Sequence, residues 1–167
     1  MNRRRIIELL ALLIFSSTVV AADSPAQKVD KILILKKDRK LLLLGGNREI
    51  RAYKVALGGN PIGPKTYKGD NRTPEGFYTI DGRNAASAYH RSLHVSYPNA
   101  DDRTRAKKLG KHPGGDIFIH GLPNGQGWIG KAHSLHDWTL GCIAVTNEEI
   151  EEIWKLVPNG TIVEIRP

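Results

Sequence analysis

The chain has 167 residues, 40% of them hydrophobic, a formal net charge of +8 and a single cysteine, Cys142. That length supports one domain with a core that needs no disulfides, and the lone cysteine has no partner within its own chain. In an exported protein such a thiol is either reactive or incidental. Gly141 before it and apolar β-formers after it favour the reactive reading.

The front of the chain reads as an export signal. Arg3, Arg4 and Arg5 form a basic start, residues 6–20 are mostly apolar with Glu8 near their beginning, and Val20, Ala21 and Ala22 supply a small-residue exit. Residues 1–22 are therefore expected to be removed, leaving residues 23–167 as one domain. The competing reading is an uncleaved anchor, but the apolar stretch is short for a membrane span. No cysteine near residue 22 offers a lipid attachment point. The expected place is the periplasm, with no stable membrane anchor after cleavage and no nucleic acid as partner. The basic residues at 36, 37, 39 and 40 and at 103–111 then serve as a solvated face or meet an acidic wall polymer.

Residues 32–35, 41–44 and 50–57 read as short strands joined by polar or Gly-rich turns, an antiparallel meander. Residues 58–76 are rich in Gly and Pro and read as a long ordered loop. Residues 77–80 and 92–96 are further strands. Asn99 or Asp101 caps a short helix ended by Gly110, and residues 116–120 form a strand. A Gly-dotted segment, 121–140, separates it from the strand that carries Cys142. Thr146 with Glu149 is a capping-box signature. The helix it starts should reach Leu156, burying Ile150, Ile153, Trp154 and Val157, before a last strand at 161–165. The fold expected is mainly β with one or two short helices.

A free thiol is mostly protonated at neutral pH and needs a base to attack. Among six histidines, His120 is the best candidate, because it ends the apolar run Ile117, Phe118, Ile119 and is followed by Gly121. A strand end holds a side chain rigidly, and the glycine leaves room for substrate. The backbone N–H of Cys142, with that of Gly141, could form an oxyanion hole. His90 and His94, like His133 and His136, do not follow a recognised zinc spacing, and a thiolate on zinc would not be a free nucleophile. No metal is expected. His136, Asp137 and Trp138 precede the motif closely and are candidate cleft residues, although Asp137 could equally cap a turn. Tyr97, before Pro98, is a candidate border of the donor site, with a packed core aromatic as the alternative.

The sequence resembles the L,D-transpeptidases of bacterial cell walls, the YkuD-type catalytic domain. The resemblance rests on His120-Gly121, on Thr139-Leu140-Gly141-Cys142-Ile143, and on Thr73-Pro74-Glu75-Gly76-Phe77-Tyr78 upstream. It covers nearly all of residues 23–167 and implies a β-sandwich or barrel. It also implies that Cys142 is the nucleophile, His120 its base, and Thr139 a group near the imidazole or the substrate, with Gly141 and Gly121 in support. The implied substrates are peptidoglycan stem peptides. The carbonyl of the third-position diamino acid is attacked, D-alanine leaves, and the acyl group passes to an amine, on a second stem or on a wall-linked protein. Carbapenem-type inhibitors are expected to acylate Cys142, and no cofactor is implied. Two departures stand out: Leu140 occupies a place where many members have His, and Ala144 one where many have Arg. They leave open a same-site thiol hydrolase of wall amide bonds, since some relatives cut such bonds. A non-enzymic wall-binding protein is the third reading.

Overall fold

The computed structural model describes residues 28–167, so the expected signal at 1–22 lies outside the described residues. Eight strands form one sheet: β1 Lys31–Leu35, β2 Lys40–Gly45, β3 Arg48–Lys54, β4 Gly76–Ser87, β5 His90–Val95, β6 Ile117–His120, β7 Ile143–Ala144 and β8 Ile162–Arg166. Their order across the sheet is β3-β2-β1-β8-β4-β5-β6-β7. The expected meander is present as β1 to β3, with antiparallel pairing throughout. β8 then lies parallel to β1, which a local reading of either strand does not reveal. The chain just after β3 meets β7 through reciprocal hydrogen bonds between Ala56 and Ala144, 3.0 and 2.9 Å. This seam joins the two ends of the strand order and gives the sheet its barrel-like closure.

Alternation explains which faces are buried. Ile32 and Ile34 of β1, Leu41 and Leu43 of β2, and Val163 and Ile165 of β8 all point inward. Val95, Ile117, Ile119 and Ile143 extend the same core towards β7. The helices are α1, Ala100–Lys108, and α2, Asn147–Leu156. Asn99 caps α1, with its side chain accepting from Asp101 and Asp102 while Asp102 accepts from the Asn99 amide. Thr146 and Glu149 do the same for α2. Ile150, Ile153 and Val157 are buried against the sheet, while Trp154 is half-buried under Arg83 and Arg91.

Two elements exceed the sequence expectation. β4 reaches Ser87 because it changes neighbours: Gly76 to Thr79 pair with β8, and Ile80 onward pairs with β5 across irregular register. A strand that serves two partners loses the simple alternation by which it would be recognised. The 121–140 segment also contains a 3₁₀ stretch, Gly127–Leu135, broken at Gly130.

The loop between β3 and β4 is ordered by buried charge. Lys36 Nζ donates to the carbonyls of Gly63 and Thr73 and to Glu75 Oε1. Lys65 Nζ lies 2.8 Å from Asp70 Oδ1, and Asp70 Oδ2 accepts from the amides of Thr66 and Tyr67. Burial alone would raise the Asp70 pKa, but Lys65 and these amides outweigh it and hold it below the usual carboxylate value. Asp70→Ala leaves the Lys65 ammonium buried without its counter-ion. The expected loss is about 3–5 kcal/mol in a urea unfolding titration.

Candidate active site

β6 and β7 run parallel, with Ile119 opposite Ile143 and His120 opposite Ala144. The register carries Cys142, one residue before β7, alongside Phe118. Side chains two apart share a face, so Phe118 and His120 face one way, and both border the same cleft as Cys142. That cleft has a volume of about 300 Å³. Trp138, Thr139 and Leu140 form one wall, and Ser87, Ala88 and Tyr89 of the β4–β5 hairpin form the other. No Asp, Glu, Lys or Arg is among the lining residues.

His120 is 4% exposed, and its Nδ1 lies 2.7 Å from the Gly121 carbonyl oxygen. A carbonyl can only accept, so Nδ1 carries the proton and Nε2 keeps its lone pair. Rings pack around it, with Tyr89 at 4.5 Å between centroids and Trp138 edge-on at 5.8 Å. Burial, helped by the nearby His133, lowers the His120 pKa despite the Gly121 hydrogen bond. Burial raises the Cys142 thiol pKa, with the Phe118 backbone pulling the other way. Both shifts favour the uncharged forms. A neutral imidazole with a free Nε2 lone pair can accept a proton, and an uncharged thiol has one to give.

The turn before Cys142 is built by Thr139 and Gly141. Thr139 Oγ1 accepts from the Gly141 amide at 3.1 Å and donates to the Cys142 carbonyl at 2.8 Å. The Thr139 hydroxyl is thus used in shaping the turn at Gly141 and Cys142. Gly141 has φ 136°, and a Cβ there would lie 2.6 Å from the Arg72 carbonyl oxygen. No L side chain fits that backbone. Gly121 is confined by side chains, not by its backbone conformation: a Cβ would lie 2.7 Å from Asn147 Oδ1 and 3.1 Å from His90 and Ile150. That close approach lets Asn147 accept from the Leu122 amide at 2.9 Å, which ties the chain after His120 to α2.

The remaining candidates fall in different places. Trp138 lines the cleft. His136 lies on a neighbouring hollow that shares Trp138 as a wall. Tyr97 is 2% exposed, its hydroxyl donates to the Pro113 carbonyl at 2.7 Å, and it is not among the cleft-lining residues. Asp137 is not among them either and accepts from the Leu57 amide and from Arg39. Leu140 is 78% exposed at the cleft rim, whereas Ala144 is fully buried in the seam with Ala56. His90 pairs with Glu151, and His94 bridges Asp81 and Asp116. Among the described residues no three His, Cys, Asp or Glu side chains converge as a metal ion would need. Sequence reasoning missed Tyr89 and the hairpin that carries it. The small and polar run from Asn84 to Tyr89 shows no periodicity, so nothing local marks it as a cleft wall.

Known proteins resemble this chain in sequence and fold. A family model described as the L,D-transpeptidase catalytic domain (YkuD) matches residues 30–165. YafK of Escherichia coli (strain K12), provisionally named an L,D-transpeptidase, is 29% identical over 137 residues, which is 78% of this chain and 48% of YafK. YqjB of Bacillus subtilis (strain 168), named in the same provisional way, is 28% identical over 147 residues, covering 86% of this chain and 74% of YqjB. Among solved structures, Pgp2 of Campylobacter jejuni, described as a helical cell shape determining protein, matches with a TM-score of 0.64 at 28% identity. That match covers 83% of this chain and 47% of Pgp2. The chain thus spans about half the length of YafK and of Pgp2.

Proposed function

The chain belongs to the L,D-transpeptidase catalytic-domain family, and from that membership we propose that it is a cysteine-dependent acyltransferase acting on peptidoglycan stem peptides. The observation that carries the proposal is that Cys142 and a buried His120 line one cleft free of Asp, Glu, Lys and Arg, with the imidazole tautomer set by the Gly121 carbonyl.

In the proposed reaction, His120 Nε2 takes the thiol proton as Sγ attacks the carbonyl carbon of the third-position diamino acid. The Gly141 amide is engaged by Thr139, so the Cys142 amide is assigned to the developing oxyanion. The tetrahedral intermediate collapses with cleavage of the amide bond. His120 returns the proton to the leaving nitrogen, and D-alanine departs. An acceptor amine then attacks the thioester, gives up a proton through His120, and releases the Cys142 thiol. The reaction needs no cofactor. We place it at the wall outside the cytoplasm, in the periplasm after removal of residues 1–22.

A second reading has a specific observation behind it. The cleft lining holds no cation, and position 144 is a buried alanine. A charged acceptor carboxylate therefore finds no counter-ion there, which favours water as acceptor and a hydrolase outcome. Either outcome remodels the wall, in keeping with the cell-shape description of Pgp2. A non-enzymic wall-binding role is disfavoured, because binding requires neither the thiol nor the imidazole.

Incubation with purified stem peptides, read by mass spectrometry, separates these readings. A linked dimer with released D-alanine is the expected result. Shortened monomers alone would assign hydrolysis. Unchanged peptides, together with no carbapenem adduct on Cys142, would overturn the enzymic proposal.

A further inference from the structure

The wall of the cleft is braced from outside the cleft. Arg39 sits in the β1–β2 turn with φ 50°, and its Nη1 donates to the Lys36 and Lys37 carbonyls of that turn. Its Nε and Nη2 both donate to Asp137 Oδ2, at 3.1 and 2.7 Å. The other oxygen, Asp137 Oδ1, accepts from the Leu57 amide at 3.0 Å. Two residues on, the Thr139 amide donates to the Leu57 carbonyl at 3.1 Å, and the Thr139 carbonyl accepts from the Gly59 amide at 3.0 Å. The stretch 137–139 therefore hangs on 57–59, and Arg39 closes the free end of that ladder.

We propose that Arg39 and Asp137 are positioning residues for acyl transfer, holding Trp138 against His120 and Thr139 under the Cys142 turn. This rests on the reading of Cys142 as the nucleophile. Neither residue lines the cleft. They act through their neighbours. Trp138 packs edge-on to the base, and Thr139 Oγ1 shapes the turn at Gly141 and Cys142. The Asp137 carboxylate suits the task because both of its oxygens are engaged, one by a cation and one by a backbone amide. An asparagine could keep the amide contact but would aim its own N–H donors at the guanidinium. The Arg39 side chain is 36% exposed. The Asp137 side chain is 14% exposed, but water screens the guanidinium end of the pair and limits its contribution to global stability, so its main effect is expected on the geometry of the segment it holds.

The test compares the full chain with Arg39→Ala, Arg39→Lys, Asp137→Ala and the double alanine variant. The first measurement is the rate of Cys142 acylation by a carbapenem, followed by intact-protein mass spectrometry. The second is alkylation by iodoacetamide, which is small enough to need no positioned wall. Each alanine variant is expected to slow acylation about 10-fold, since small misplacements of reacting groups are costly. The double variant should be no slower than Asp137→Ala alone, because the two residues form one device. Arg39→Lys should recover part of the loss. Iodoacetamide alkylation should keep its wild-type rate and pH profile. Unchanged acylation in the single variants, effects that multiply in the double variant, or alkylation that changes in step with acylation would each overturn the inference. If Asp137→Ala does not fold, Arg39→Ala and Arg39→Lys still decide the matter. A wild-type protein that no carbapenem acylates overturns the nucleophile reading and this inference with it. Wild-type acylation matched by every variant overturns the brace alone.

Discussion

Cys142→Ala is expected to fold normally and to form no acyl adduct with a stem peptide or a carbapenem. The side chain is partly buried, and its replacement removes one sulfur atom from the cleft floor. The turn around it is made by Thr139 through backbone groups of residues 141 and 142, and alanine preserves both of these. Thermal unfolding should therefore move by only a few degrees, while intact-protein mass spectrometry shows no mass increase. Because this is the chain's only cysteine, no other thiol can stand in for it. Full activity in this variant would falsify the mechanism.

His120→Gln should lower the acylation rate by about 10²-fold or more, the usual size of a general-base contribution. Glutamine is chosen over alanine to limit the cavity between Tyr89 and Trp138. The pH dependence is the sharper reading. In the wild type, burial keeps the imidazole neutral to a lower pH than an ordinary histidine. The rate should hold its plateau below the ordinary imidazole pKa and then fall tenfold per pH unit. In the variant that plateau and its break should vanish. Attack would then depend on the thiolate fraction, and burial has moved the thiol pKa above its ordinary value. The rate should consequently climb with pH into the alkaline range. A near-normal rate in His120→Gln would redirect the search to His133 or His136.

The same burial has a consequence for stability. His120 and His133 both have lowered pKa values in the folded protein. The unfolded chain therefore binds protons at a higher pH than the folded one. Stability is retained above the ordinary imidazole pKa and falls as pH drops below it. His120→Gln should flatten part of that acid-side loss in urea titrations at successive pH values.

The stretches that were legible in the sequence are those whose geometry is set by neighbours in the chain. Thr146 and Glu149 marked the start of α2 because a capping box closes within four residues. The apolar run ending at His120 marked β6, and the Gly-Cys pair marked the turn before β7. Gly141 is required there by its own backbone conformation, although the atom it would strike belongs to Arg72. The mainly β character followed in the same way, from short apolar runs between turns.

What the sequence by itself determined, then, was the mainly β character, the glycine turn before Cys142 and the capping box of α2, while the cap of α1 stayed open between Asn99 and Asp101 until the structure assigned it to Asn99. Only the tertiary structure decided what surrounds Cys142 and His120. Tyr89 reaches the cleft because β4 runs on past Ile80 to pair with β5. The chain after β3 reaches β7 because Ala56 meets Ala144, which also encloses the side chain of Ala144. Asp137 braces the cleft wall because the β1–β2 turn brings Arg39 to it across 98 residues of chain. Such contacts depend on strand order and register. Local periodicity records which face of a strand is buried, but not which strand lies beside it.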